Sequence, residues 1–285
     1  MKNKLFRSPL TCLGLVILLI SSCSKQQPLP TPILIAATPY SVAVYKDVAY
    51  TSERNLDVYA PSTPGNWPVV VLFNGTSKEA YAQLSSAIAA QGAVVFNPDI
   101  PTKPSNFSPV EHISQGLEDA ACALRFGRSK AEEFGGNPAR VVVVGHSIGG
   151  VAAADMMLAG DDFKGDCLVR KGSALPDAFI GLDGAYDIDH CCIPDFMFAE
   201  ASPEKWAVLS PFTYVDRQPI RKGVEFHFIV GDEAQELVDM SRAFYEALKT
   251  AGYEATLLEL SNTLHMDFLG PREEWMQVIL ETLAR

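Results

Sequence analysis

Residues 141–150 read VVVVGHSIGG, and the small-residue run VAAADMMLA follows them. Four β-branched residues, a Gly-x-Ser-x-Gly turn and a helix former predict a strand–turn–helix unit with Ser147 at its apex. Such a turn strains its central residue, so Gly145 and Gly149 must lack bulk where strand and helix nearly touch. Ser147 then presents its hydroxyl at the amino end of a helix, where the dipole favours developing negative charge. The five-residue pattern alone arises easily by chance; the flanking strand and helix give it weight. A serine hydroxyl is a poor nucleophile until a base takes its proton, so an imidazole is needed, and a carboxylate to orient it. Acyl transfer also needs preset N–H donors around the oxyanion. Ile148, directly after the serine, supplies one.

These groups must be held by a scaffold, and the periodicity describes one. Alternation in SVAVYKDVAY and NLDVYA predicts an antiparallel pair. Strand and helix patterns then alternate: strands at 68–73, 93–98, 178–183, 224–231 and 254–260, and helices at 78–91, 112–134, 240–252 and 271–284. Strands alternating with helices imply parallel units and one mostly parallel sheet covered on both faces. The stretch 184–222 is the only long excursion and is a candidate cap over the site. The sequence shows no internal repeat and no second domain.

Ahead of this domain, Lys2, Lys4 and Arg7 precede a short apolar run, Leu13 to Ile20, and then Ser21-Ser22-Cys23. A run this short is a secretory signal rather than a permanent span. Its end resembles the lipobox of bacterial lipoproteins, which implies a signal over 1–22, acylation of Cys23, and membrane attachment through the lipid. By the same resemblance Ser24 directs the protein to the outer membrane where one exists. Residues 23–39, with four prolines, read as a tether, and 40–285 as a single domain. Loss of Lys2, Lys4 and Arg7 takes the formal charge from −11 to −14. So acidic a surface, with no basic run, argues against nucleic acid as a partner. Of the remaining cysteines, Cys122 lies in an apolar helical run and reads as a buried thiol, which leaves Cys167 to bridge Cys191 or Cys192. No CxxC pair or histidine spacing points to a metal, and no cofactor is implied. Asp187, Asp189 and His190 read as a solvated loop.

Along nearly all of its mature length the chain resembles the α/β-hydrolase superfamily, and within it bacterial carboxylesterases and the kynurenine-formamidase-like branch. The resemblance rests on LDVYAP (56–61), FNGTS (73–77), FGGNPARVVVVGHSIGG (134–150), GLDGAYDI (181–188), LSPFTYVD (209–216), the strand to Gly231 and LHMDF (264–268). It implies a serine hydrolase acting on small-molecule esters, or on amides and formamides with the same groups; an inactive envelope binding protein is the non-enzymatic alternative. The superfamily order of serine, acid and histidine assigns the base to His265, after the last strand, and leaves His146 to packing. His112, His190 and His227 precede the base position. The second oxyanion donor falls at Thr76, in a loop where Asn74-Gly75 replaces the family's usual His-Gly. Relatives carry Gly-x-x-Asp after the strand that ends at Gly231. A one-residue contraction here slides Glu233 or Asp232 into the acid's role, with Asp183, at the end of the preceding strand, as the rival.

Overall fold

The computed structural model describes residues 33–35, 40–100, 109–187, 207–217 and 220–285, with side chains of the 109–130 helix described from residue 114. Nine strands form one sheet in the order β1-β2-β3-β5-β4-β6-β7-β8-β9. The strands are β1 (Ile33–Ile35), β2 (Val42–Ala49), β3 (Asn55–Pro61), β4 (Trp67–Phe73), β5 (Val94–Pro98), β6 (Gly136–His146), β7 (Ala178–Leu182), β8 (Glu225–Gly231) and β9 (Glu254–Leu260). β1 to β3 are antiparallel, and β3 meets β5 antiparallel; every pairing from β5 through β4 to β9 is parallel. Three residues of the expected tether thus add an edge strand, whereas residues 1–32, Cys23 among them, lie outside the described residues.

The sheet is buried on both faces because its central strands are apolar at every position. Val69, Val71, Phe73, Val141 and Val143 face one core, while Val70, Leu72, Val142 and Val144 face the other. The first core is closed by α2 (Pro109–Lys130), α3 (Ile148–Ala159) and α4 (Gln235–Ala251). The second is closed by α1 (Ala82–Ala90) and α5 (Glu273–Leu283), through Leu84, Ile88, Trp275 and Ile279.

Two helices begin away from their expected positions. α1 starts at Ala82 rather than residue 78 because the Lys78 carbonyl is taken by Asn97 Nδ2 at 2.8 Å and by the Tyr81 N–H at 3.3 Å. α4 starts at Gln235, five residues before the periodic stretch, its first turn turning only Leu237 and Val238 inward.

The cysteine expectation is corrected. Cys122 on α2 is bonded to Cys167, 45 residues away, in a segment whose Cys167 also bridges Thr51. Cys122 is therefore not a free thiol and Cys167 has no need of Cys191 or Cys192, both of which lie outside the described residues. Of the proposed cap, 188–206 and 218–219 lie outside them too. Its described residues include a one-turn helix, Phe212–Val215, with Phe212 against Phe244 of α4.

Candidate active site

The elbow forms as its glycines require. A Cβ on Gly145 would lie 2.4 Å from the Gly149 carbonyl oxygen, and one on Gly149 would lie 2.3 Å from that of Phe73. Strand, helix and the end of β4 therefore meet in backbone contact that no side chain fits between. Ser147 sits at φ 56° and ψ −127°, a conformation of positive φ that a non-glycine residue adopts only when its surroundings impose it. Ile148 is the first residue of α3, where backbone N–H groups have no partner inside the helix.

Parallel register decides what stands beside the serine. β6 and β7 pair His146 with Leu182, so Ser147 and Asp183 leave the carboxyl edge of the sheet side by side. The Ser147 N–H donates to the Leu182 carbonyl at 3.1 Å. Asp183 also has positive φ, 50°, and is only 2% exposed. Its Oδ1 accepts from the Gly231 N–H at 3.0 Å, and its Oδ2 accepts from Nδ1 of His265 at 2.5 Å. Because a carboxylate only accepts, Nδ1 of His265 carries the proton and Nε2 is the basic nitrogen.

The acid expectation is corrected at this point. Neither Glu233 nor Asp232 reaches the imidazole. Glu233 Oε2 accepts from the backbone N–H of His265 at 2.6 Å, and Asp232 Oδ1 accepts from the Thr263 N–H at 3.1 Å. The backbone N–H groups of Asn262 and Thr263 hold the Asp232 carboxyl below its ordinary value. Both acids are thus spent on the main chain of the histidine loop. Gly231 allows that loop to close in: a Cβ there would lie 2.3 Å from the Thr263 carbonyl oxygen.

The Asn74–Thr76 loop lies against the elbow, a Cβ on Gly75 falling 2.8 Å from Ser147 Cβ. Asn74 is fully buried, and its amide donates to the Pro98 carbonyl at 2.6 Å, which pins the loop to β5 rather than bonding within it. Lys78, at the loop's far end, pairs with buried Asp57 at 2.8 Å and also with Asp47. Sequence reasoning missed these anchors, and it missed Tyr81. The Tyr81 hydroxyl accepts from the Gly75 N–H at 3.0 Å and contacts His146 Nδ1, while His146 Nε2 donates to the His265 carbonyl at 3.0 Å. Burial pushes the His146 pKa down to about 3, so the ring is neutral, and pushes that of Tyr81 up to about 12. Among the described residues no group of three or more His, Cys, Asp or Glu side chains is placed to hold a metal ion.

Residues 70–283 match the model of the alpha/beta hydrolase family. The chain belongs to that family. Over 258 residues this hydrolase-family chain is 28% identical to the isoprenylcysteine alpha-carbonyl methylesterase of Arabidopsis thaliana, an alignment covering 80% of the chain and 58% of the relative. It therefore spans less than two thirds of that relative's length. It is 32% identical over 119 residues to carboxylesterase NlhH of Mycobacterium tuberculosis, covering 39% of the chain and 35% of the relative. The fold also matches esterase 2 of Thermogutta terrifontis with butyrate bound, with a TM-score of 0.65 at 19% identity over 86% of this chain and 93% of that one. A truncated carbohydrate esterase from gut microbiota gives a TM-score of 0.67 at 19% identity, over 90% of this chain and all of the other.

Proposed function

We propose that this hydrolase-family protein is a serine carboxylesterase in which Ser147, His265 and Asp183 form the catalytic triad. The carrying observation is the bond from His265 Nδ1 to Asp183, one residue across the sheet edge from a strained serine. In the first half-reaction His265 Nε2 takes the Ser147 proton as the hydroxyl oxygen attacks the ester carbonyl. Asp183 stabilises the imidazolium that results. The oxyanion is held by the N–H groups of Ile148 and Thr76. The imidazolium then protonates the leaving alcohol, and water admitted by the same base releases the acid and regenerates Ser147. Esterase names among the relatives support an ester as the bond cleaved. Leu264 and Met266, either side of the base, are more than half exposed, and the surface is acidic, which favours an uncharged, apolar ester over an anionic one.

The kynurenine-formamidase-like resemblance makes an aryl formamide the alternative substrate for the same triad. The test is covalent labelling by a fluorophosphonate followed by turnover of p-nitrophenyl esters of graded acyl length beside an N-formyl arylamine. Labelling at Ser147 with ester turnover is expected. Labelling with formamide turnover alone moves the substrate class, and absence of labelling overturns the serine mechanism.

We place the protein at the bacterial cell envelope, anchored by acylated Cys23. Besides the lipobox-like sequence, the Cys122–Cys167 disulfide supports this reading, since such bonds persist in oxidising compartments outside the cytosol. Cys23→Ser is expected to release active protein from the membrane fraction; continued membrane association of that variant overturns the anchor.

A further inference from the structure

Each half of the proposed chemistry hangs on a different loop, and one buried chain of hydrogen bonds joins them. At one end is Gly75, in the loop that presents Thr76; at the other is the main chain of His265. Between them stand Tyr81, fully buried just before α1, and His146, 2% exposed, directly before the nucleophile. The direction of every bond is fixed by elementary valence. The His265 carbonyl only accepts, so His146 carries its proton on Nε2. A neutral ring then has Nδ1 bare, so the Tyr81 hydroxyl must donate to it. The hydroxyl's lone pair is thereby left for the Gly75 N–H. No donor or acceptor in the chain is wasted, and no other tautomer of His146 satisfies it.

We propose that Tyr81 and His146 are positioning residues that lock the oxyanion loop and the histidine loop to a common reference beside Ser147. Neither touches the reacting atoms in this scheme. The Gly75 N–H is taken by Tyr81, which fixes the loop immediately before Thr76. The His146 ring lies 4.5 Å from that of His265, centroid to centroid, inclined by 35°. A neutral His146 lets His265 become charged during the reaction without a second cation against its face. His146 is thus more than packing: it is the middle member of a three-residue brace, and the brace matters most when charge develops at both ends together.

This inference rests on the serine esterase reading, and the experiment separates the two. Tyr81→Phe removes one oxygen and keeps the ring; His146→Gln keeps an amide donor for the His265 carbonyl. Both singles and the double variant are compared with wild type for kcat and KM on a p-nitrophenyl ester and for the rate of Ser147 labelling by a fluorophosphonate. Leaving buried groups unpaired at this position predicts a fall in kcat of about 10- to 100-fold for Tyr81→Phe, with KM within about threefold. A single brace further predicts that the double variant is no worse than the poorer single one. Nitrogen NMR of imidazole-labelled wild-type protein should show His146 protonated at Nε2 alone. Full activity in folded Tyr81→Phe, losses that multiply in the double variant, or a proton on His146 Nδ1 would overturn the proposal. If wild type turns over no ester the esterase reading fails, and the labelling rates decide the brace; if Tyr81→Phe does not fold, the wild-type spectrum and His146→Gln decide it.

Discussion

Two strand ends on the same sheet edge carry acids toward the same histidine loop, and they do different things. At the end of β7, Asp183 is almost wholly buried, holds a positive φ, and puts one oxygen on the His265 ring and the other on the Gly231 amide. At the end of β8, Asp232 and Glu233 are exposed and reach backbone amides, those of Asn262 and Thr263 for Asp232 and that of His265 for Glu233. All three are carboxylates within two residues of a strand end. What separates them is that only Asp183 meets the imidazole, the group that changes charge in the proposed reaction. A carboxylate on the imidazole can stabilise the transition state selectively, whereas one on a backbone amide holds ground state and transition state alike.

Ser147→Ala should have the largest effect, lowering ester turnover by roughly five to six orders of magnitude and abolishing fluorophosphonate labelling while the melting temperature is retained. That result confines chemistry to the elbow; residual turnover near wild type would break the comparison by making both acids bystanders. Glu233→Ala should lower kcat only about fivefold, since the His265 N–H loses one acceptor at an exposed position and finds water. Glu233→Gln, whose amide oxygen still accepts, should restore most of it. The disulfide variant Cys122→Ala/Cys167→Ala probes the scaffold alone. Closing a 45-residue separation predicts a loss of about 4 kcal/mol in denaturant unfolding, with kcat unchanged while the protein is folded. Asp232→Asn should have the smallest effect, visible in the pH dependence of stability. A carboxyl held below its ordinary value contributes stability fully above the normal carboxylate range and loses it as pH falls through the lowered value. The asparagine variant should therefore differ from wild type at neutral pH and converge with it in strong acid.

The sheet was legible because VVVLF and VVVV can satisfy only a strand buried on both faces, and Gly145 and Gly149 because only glycine fits where backbones touch. Ser147 is legible from the glycine turn between strand and helix, and His265 from the order of serine, acid and histidine that the family resemblance implies. The acid was not legible, because the choice depends on which carboxylate crosses from one strand end to the next loop. The family resemblance points after Gly231, to Glu233 or Asp232, but both are spent on backbone amides. The Cys122–Cys167 bond is a product of α2 packing over the 163–172 segment, which no spacing rule encodes. Tyr81 reads in sequence as one more apolar helical residue; only the fold puts its hydroxyl between Gly75 and His146.

The most direct test of the account is the turnover of Asp183→Asn, measured beside Glu233→Gln on one p-nitrophenyl ester after both variants are shown to melt cooperatively. An asparagine at 183 keeps the shape but accepts or donates in the wrong sense, so His265 loses the tautomer with a basic Nε2. The account predicts a fall of about 10⁴-fold in kcat for Asp183→Asn and less than about threefold for Glu233→Gln. The reverse order, or a folded Asp183→Asn with near wild-type turnover, would contradict it and return the acid to the end of β8.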